Sequence, residues 1–131
     1  MSIRNVRGFL PGESALPDEV VTRALVRDVD LGAVVPGAVV PGKGAGVMAL
    51  ITLDNGHDHT KPNTFGVRGL LSLNAALDAI EARVAAGEVA AVGVTGKPFI
   101  LAVGADLDGA GEVGTRDNAL AIARLGHAVF R

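Results

Sequence analysis

The chain has 131 residues, of which 49% are hydrophobic and 3% aromatic, with a formal net charge of −2 and no cysteine. This length suffices to bury one core, and the absence of cysteine excludes disulfides, thiolate catalysis and zinc–thiolate sites. The small negative charge and the absence of Trp and Tyr argue against nucleic acid or an anionic membrane as a partner.

The first 45 residues predict an N-terminal arm. Residues 1–18 are rich in Gly, Pro and charge, which indicates an extended segment. Residues 20–31 are compatible with a short helix or a strand, and we favour a strand at 24–31. The pentapeptide Ala-Val-Val-Pro-Gly then occurs twice, at 33–37 and 38–42, and its Pro-Gly pairs predict two successive turns.

A strand, a long helix and a second strand are predicted next. Residues 47–54 form an apolar run of strand length. Residues 65–86 predict a helix that ends near Gly87, because apolar side chains recur at intervals of three and four residues, at Leu70, Leu73, Leu77, Ile80 and Val84. Residues 89–95 would place apolar side chains on both faces of a strand, apart from Gly93. This pattern predicts a parallel strand that is covered on both faces.

The most informative segment follows a short turn at Lys97-Pro98. Residues 99–103 predict another buried strand, which ends in Gly104-Ala105-Asp106. Small residues leave backbone amides open to a ligand, and an amide aimed at a carbonyl stabilises an oxyanion, although ordinary strand exits share this pattern. Residues 106–114 predict a mobile loop, which closes over a ligand or merely connects two elements. A last helix begins at Thr115 or Asp117 and reaches the final residue without a stop signal, which indicates a domain that continues further.

Taken in order, these elements resemble a known family. The sequence has a strand, a loop containing Asn63, a helix, a strand ending in Thr95-Gly96, and then Gly104-Ala105-Asp106-Leu107. This order resembles the first half of the enoyl-CoA hydratase/isomerase (crotonase) family over residues 46–131. The resemblance implies an α/β fold of the ClpP/crotonase type, a spiral of strand-strand-helix units of which this chain is the N-terminal portion. Residues 1–45 would be an added arm with a possible strand.

The resemblance also implies an activity. The chain would be the N-terminal part of an enoyl-CoA hydratase-like enzyme, a lyase of fatty-acid β-oxidation, with a coenzyme A thioester as substrate and no further cofactor. The Ala105 amide would be one of two oxyanion donors, whereas the family takes the second donor and two catalytic glutamates from later segments that this sequence lacks. We therefore expect negligible turnover by this chain alone. The alternatives are an enoyl-CoA isomerase, or a noncatalytic CoA-binding or assembly fragment. The arm and loop are also similar to the hydratase region of bacterial 3-hydroxyacyl-CoA dehydrogenase proteins.

Transferred to this sequence, the family pattern implies a substrate and CoA site at Lys61, Pro62, Asn63, Gly104, Ala105, Asp106 and Leu107. Lys61 is the candidate for pairing with a CoA phosphate, and an ordinary solvated lysine is an equal alternative. Asp108 stands where the family often has a basic residue. The expected partners are acyl-CoA and either further copies of the chain, since full-length relatives form trimers, or a complementing downstream half.

One loop carries a second cluster of polar groups. Asp54, His57, Asp58 and His59 lie close together in the sequence, and histidine with carboxylate groups can bind a divalent metal. Because no third histidine lies nearby, we interpret the cluster as a solvated polar loop and expect no metal. No signal peptide or membrane-spanning run is recognisable, so the expected location is cytoplasmic.

Overall fold

A computed structural model describes residues 19–31, 46–106 and 115–131. The predicted arm at 1–18, the Pro-Gly repeats, and the segment 107–114 with Leu107 and Asp108 lie outside the described residues. Within those ranges the fold is mixed α/β, with one three-stranded sheet and two helices. The elements in chain order are β1 (Arg23–Asp30), β2 (Val47–Asp54), α1 (Val67–Ala85), β3 (Ala91–Thr95) and α2 (Arg116–Val129).

β2 is the central strand of the sheet. It pairs antiparallel with β1, where Val26 lies opposite Ile51, and parallel with β3, where Val94 lies opposite the same Ile51. The parallel pair requires a crossover connection, which α1 provides. The strands predicted at 24–31 and 47–54 and the long helix are therefore confirmed, with helix ends within two residues of those expected.

The core lies between one face of the sheet and the two helices. Alternate residues of β2, namely Ala49, Ile51 and Leu53, are at most 3% exposed, as the period of a strand with one buried face requires. The helices complete this core with buried Leu70, Leu73 and Ile80 from α1 and with Leu125 and Val129 from α2.

The stripe predicted on α1 holds for most of its length. Leu77 packs against the core, but Val84 near the helix end is 47% exposed. Asn74, which the pattern places off the stripe, is buried, and its side-chain amide donates to Asp78 Oδ2 at 3.0 Å. The apolar face is thus shorter at its C-terminal end than the spacing indicates.

The prediction that residues 89–95 are covered on both faces is wrong. β3 begins at Ala91 and is the last strand of the described sheet, so no described strand pairs with its outer edge. Val92 is 47% and Val94 54% exposed, although both lie on the helix side of the sheet. The physical reason is that, among the described elements, α1 packs closely against β1 and less closely against β3.

The predicted buried strand at 99–103 is also wrong. Residues 97–100 form a turn closed by the Ile100 N–H, which donates to Lys97 O at 3.2 Å, and Phe99 has φ +72°. A Cβ at Gly96 would collide with the Ile100 carbonyl, so the turn folds back against a glycine. Leu101 and Val103 follow in irregular backbone and are 52% and 59% exposed.

α2 starts at one of the two residues that the sequence offers. Thr115 is the N-cap, and its hydroxyl accepts the Asn118 N–H at 3.2 Å, whereas Asp117 lies inside the first turn. Neither of the two described helices is long and apolar enough to cross a membrane.

Candidate functional site

The backbone at Ala105 is turned outward by its pairing with Phe65. Phe65 N–H donates to Gly104 O at 2.8 Å, and Asp106 N–H donates to Phe65 O at 3.1 Å, which makes a parallel bridge between Phe65 and Ala105. Phe65 makes both hydrogen bonds of this bridge. Its partner Ala105 makes neither, so the N–H and C=O of Ala105 point away from Phe65. Ala105 is exposed, and its N–H has no acceptor among the described residues.

Gly104 is an extra residue in this pairing. Asn63 O accepts the Val103 N–H at 2.9 Å, whereas a regular parallel register would use the N–H of the next residue, Gly104. The insertion is accommodated at φ +104°, a conformation that favours glycine. A bulge therefore sets the direction in which the Ala105 amide points.

Asn63 connects the three segments that meet at this site. It is fully buried, and its Nδ2 donates to Leu53 O and to Leu101 O, both at 2.8 Å. Its Oδ1 accepts the Asn55 N–H at 3.1 Å. Because both amide hydrogens are used inside the chain, the Asn63 side chain positions the site and has no hydrogen left to donate to a ligand.

Lys61 and Pro62 lie in the loop that leads into Asn63. Asn55 Nδ2 donates to Pro62 O at 3.0 Å and to Lys61 O at 3.3 Å, so the loop backbone is held from within. Lys61 is exposed. Asp106 is half-buried beside Phe65, and its N–H is engaged there. The structure thus brings Asn63 and residues 104–106 together, and Lys61 and Pro62 are connected to them through Asn55.

Sequence reasoning missed the role of Lys97, which it treated only as part of a turn. Lys97 is 8% exposed, and its ammonium donates to Asn55 Oδ1 at 2.6 Å. The same nitrogen contacts three backbone carbonyls, of His57 and Asp58 at 2.8 Å and of Lys61 at 2.5 Å. A lysine before proline gives no sequence signal for this, because its acceptors are mainly peptide oxygens of a distant loop.

The polar groups of that loop serve local turns. Asp54 Oδ1 accepts the Gly56 N–H at 2.8 Å, and Asp58 Oδ1 accepts the Thr60 N–H at 2.9 Å and its hydroxyl at 2.5 Å. The Thr60 hydroxyl, followed by its amide, lowers the pKa of Asp58. Among the described residues no three His, Asp or Glu side chains lie close enough to hold a metal ion.

Glu19 is a second residue that the sequence did not single out. Its carboxylate accepts the backbone N–H of Arg68 in the first turn of α1, where the N-cap Gly66 has no side chain to do so. Burial raises the pKa of Glu19, against the lowering effect of the Arg68 and Gly69 amides, and the charge of Asp106 raises it further. Glu19 is therefore a helix cap near the strand exit.

An apolar cavity of about 350 Å³ lies beside the Phe65 ring. Its wall is formed by Leu53, Phe65, Leu73, Leu77, Val94, Leu101, Ala102, Val129, Phe130 and Arg131. The Phe65 and Phe130 rings meet edge to face with centroids 5.6 Å apart. Ala105 does not line this cavity, but it is the bridge partner of Phe65.

Comparison with known proteins gave no relative: no family model, no curated protein and no solved structure matches the chain.

Proposed function

We propose that the chain contributes one half of an acyl-CoA thioester site, as the N-terminal part of an enoyl-CoA hydratase-like enzyme. The observation that carries this proposal is the outward Ala105 N–H, exposed behind a glycine bulge and held by the Phe65 bridge. A backbone N–H held in this way can donate to a thioester oxygen without rearranging, which is the requirement for stabilising negative charge on it.

The resemblance supplies the rest of the chemistry. In the crotonase family a second amide completes the oxyanion hole, and two glutamates from later segments move the protons. Hydration of a trans-2-enoyl-CoA is the proposed reaction, and isomerisation of the double bond is the alternative, because one hole stabilises the enolate of both. Loss of a single donor from such a hole typically slows catalysis by about 10² to 10³.

Lys61 is the proposed contact for the anionic part of coenzyme A. Its side chain is exposed while its backbone carbonyl is fixed by Lys97 and Asn55, so the ammonium extends from a held position. An ammonium is a suitable point charge for phosphate. Asn63 and Gly104 then act through the backbone of the strand exit, and the apolar cavity beside Phe65 is the proposed space for an acyl chain.

Titration of the purified chain with crotonyl-CoA tests this function. We expect binding by calorimetry and no loss of the enoyl-thioester absorbance, because one oxyanion donor without the glutamates binds but does not hydrate. Turnover would contradict the half-site account. Coenzyme A itself is titrated as the comparison ligand. If neither crotonyl-CoA nor coenzyme A binds, the proposal of an acyl-CoA site is contradicted.

A noncatalytic assembly role is the second candidate, and the open edge of β3 favours it. β3 has the sequence AVGVT. It contains neither a charged residue nor proline, which commonly protect an edge strand from pairing with another chain. Val92 and Val94 extend the apolar surface on the helix side of this edge. The occupant that we propose is a second copy of the chain, because two uncharged edges meet without like-charge repulsion.

Sedimentation of the chain over a range of concentrations tests this role. We expect self-association that Val94→Lys weakens at least about tenfold, because an ammonium would have to be buried at the strand edge. Val84→Lys is the matched control, since Val84 is 47% exposed but belongs to α1 and not to β3. A chain that stays monomeric, or equal effects of both substitutions, would contradict assembly through β3.

A further inference from the structure

The Lys97 ammonium lies in an environment that resembles a cation site. Four oxygens surround Nζ at 2.5–2.8 Å, one from the Asn55 amide and three from backbone carbonyls of the loop 57–61. We call these four oxygens the loop cage. None of them belongs to a carboxylate, so the buried charge is stabilised by dipoles in the way that hard cations are held by neutral oxygen ligands.

The geometry of the loop depends on this charge. The His57, Asp58 and Lys61 carbonyls converge on one point, and converging carbonyl dipoles repel one another unless a cation lies between them. An ammonium provides only three hydrogens, so four oxygens at this distance share it. Without Lys97, these part-buried acceptors would lose their donor, and an acceptor left without a partner destabilises the fold.

The loop cage is also connected to the strand exit. Asn55 Oδ1 accepts a hydrogen bond from Lys97 Nζ, and the Asn55 backbone N–H donates to Asn63 Oδ1. Asn63 O in turn accepts the Val103 N–H. Each step is a hydrogen bond of 3.1 Å or less. Loss of order in the loop cage would therefore weaken the hydrogen bonds of Asn55 and Asn63, and through them the position of Val103 next to the Gly104 bulge.

We infer that the loop cage is a monovalent-cation site permanently occupied by the chain's own Lys97 ammonium, and that its occupancy orders residues 55–63 and the strand exit at Val103. The class of ligand is ammonium or a metal ion of similar size and single charge. Lys97 is thus a positioning residue, which acts through Asn55 and Asn63. Its test uses folding and hydrogen exchange, which report on the loop cage whether or not the chain binds acyl-CoA, so failure of this inference and failure of the proposed function are distinguishable.

Chemical rescue of Lys97→Ala is the direct test. The substitution removes the ammonium and leaves a channel where the side chain was, so we expect Tm to fall by about 5 °C or more. The backbone N–H hydrogens of Asn55 and Val103 should exchange with solvent about tenfold faster or more. The reason is that losing one hydrogen bond to a charged group shifts the opening equilibrium by about that factor. Added ammonium chloride should restore both properties in a saturable manner.

Three controls separate site binding from general salt effects. Tetramethylammonium chloride at equal ionic strength has no N–H and should not rescue. Lys97→Met keeps most of the side-chain volume without the charge, so it should be destabilised and insensitive to ammonium. Lys61→Ala, which removes an exposed neighbouring ammonium, should leave exchange at Asn55 and Val103 unchanged. Equal action of the two salts, or unchanged exchange in Lys97→Ala, would overturn the inference.

A measurement on the unaltered chain covers the case in which Lys97→Ala does not fold. Acetylation by an N-hydroxysuccinimide ester, followed by mass spectrometry, compares Lys97 with exposed Lys61 in one sample. We expect Lys97 to react at least about tenfold more slowly, because its nitrogen is buried and hydrogen-bonded inside the loop cage, so the reagent reaches it only when the loop opens. Equal rates would show that the ammonium is free in solution and would overturn the inference.

Discussion

Asn63 replaces a neighbouring strand at the point where the sheet ends. Its two amide hydrogens bond Leu53 O and Leu101 O, so one side chain joins the end of β2 to the irregular segment after the 97–100 turn. Aspartate lacks these donors and leucine lacks every polar atom, so neither could satisfy both carbonyls. The residue that the resemblance selects for a substrate site therefore has a physical task in the fold itself.

The pH dependence of stability is a property of single carboxyl groups. Burial raises the pKa of Glu19 above its ordinary value of 4.5, so folding favours its protonated form. Stability from this group is complete below pH 4.5 and is lost as the pH rises through the higher folded-state pKa. We expect the free energy of unfolding to fall over this range.

Glu19→Gln separates this effect from the others. Glutamine keeps an acceptor oxygen for the Arg68 N–H but does not titrate, so the decline above pH 4.5 should disappear in urea denaturation curves. The loss of stability at acid pH should remain, because Arg83 lowers the pKa of Asp28 and the Thr60 hydroxyl lowers that of Asp58. These two carboxylates stabilise the folded state above pH 3.8, and their contribution is lost as the pH falls through their lower folded-state pKa values. An unchanged profile in Glu19→Gln would contradict the burial of this carboxyl.

At the scale of elements, periodicity was informative where burial is regular. β2 alternates buried and half-buried residues, and α1 buries Leu70, Leu73 and Ile80, so both could be predicted. The apolar run at 99–103 led to the wrong prediction of a buried strand, because Leu101 and Val103 are hydrophobic but remain half exposed. What replaces the strand is a turn and an asparagine side chain, and neither leaves a periodic signal.

The docking of α2 on α1 rests on a few apolar side chains. Leu125 is fully buried in the core, whereas Leu120 on the same helix is 36% exposed. We expect Leu125→Ala to lower the free energy of unfolding by about 2–5 kcal/mol, because it removes buried methyl groups and leaves a cavity. Leu120→Ala is the matched control and should cost under about 1 kcal/mol in the same chemical denaturation experiment. Equal losses would mean that α2 does not pack as described.

At the scale of the whole molecule, the described fold leaves two surfaces open. Ala105 directs a backbone donor outward at one, and β3 ends the sheet with exposed Val92 and Val94 at the other. Neither the Lys97 ammonium nor the Glu19 cap could be predicted from the sequence, because both act on atoms far away along the chain.

The measurement that tests the central claim most directly compares crotonyl-CoA binding by two variants at one position. Ala105→Pro removes the backbone N–H, and Ala105→Gly keeps it. A neutral hydrogen bond is worth about 1 kcal/mol, so we expect Ala105→Pro to bind about fivefold more weakly than the unaltered chain. Ala105→Gly should bind like the unaltered chain. Equal affinities of the Pro and Gly variants would show that the Ala105 amide does not contact the thioester and would contradict the proposed site.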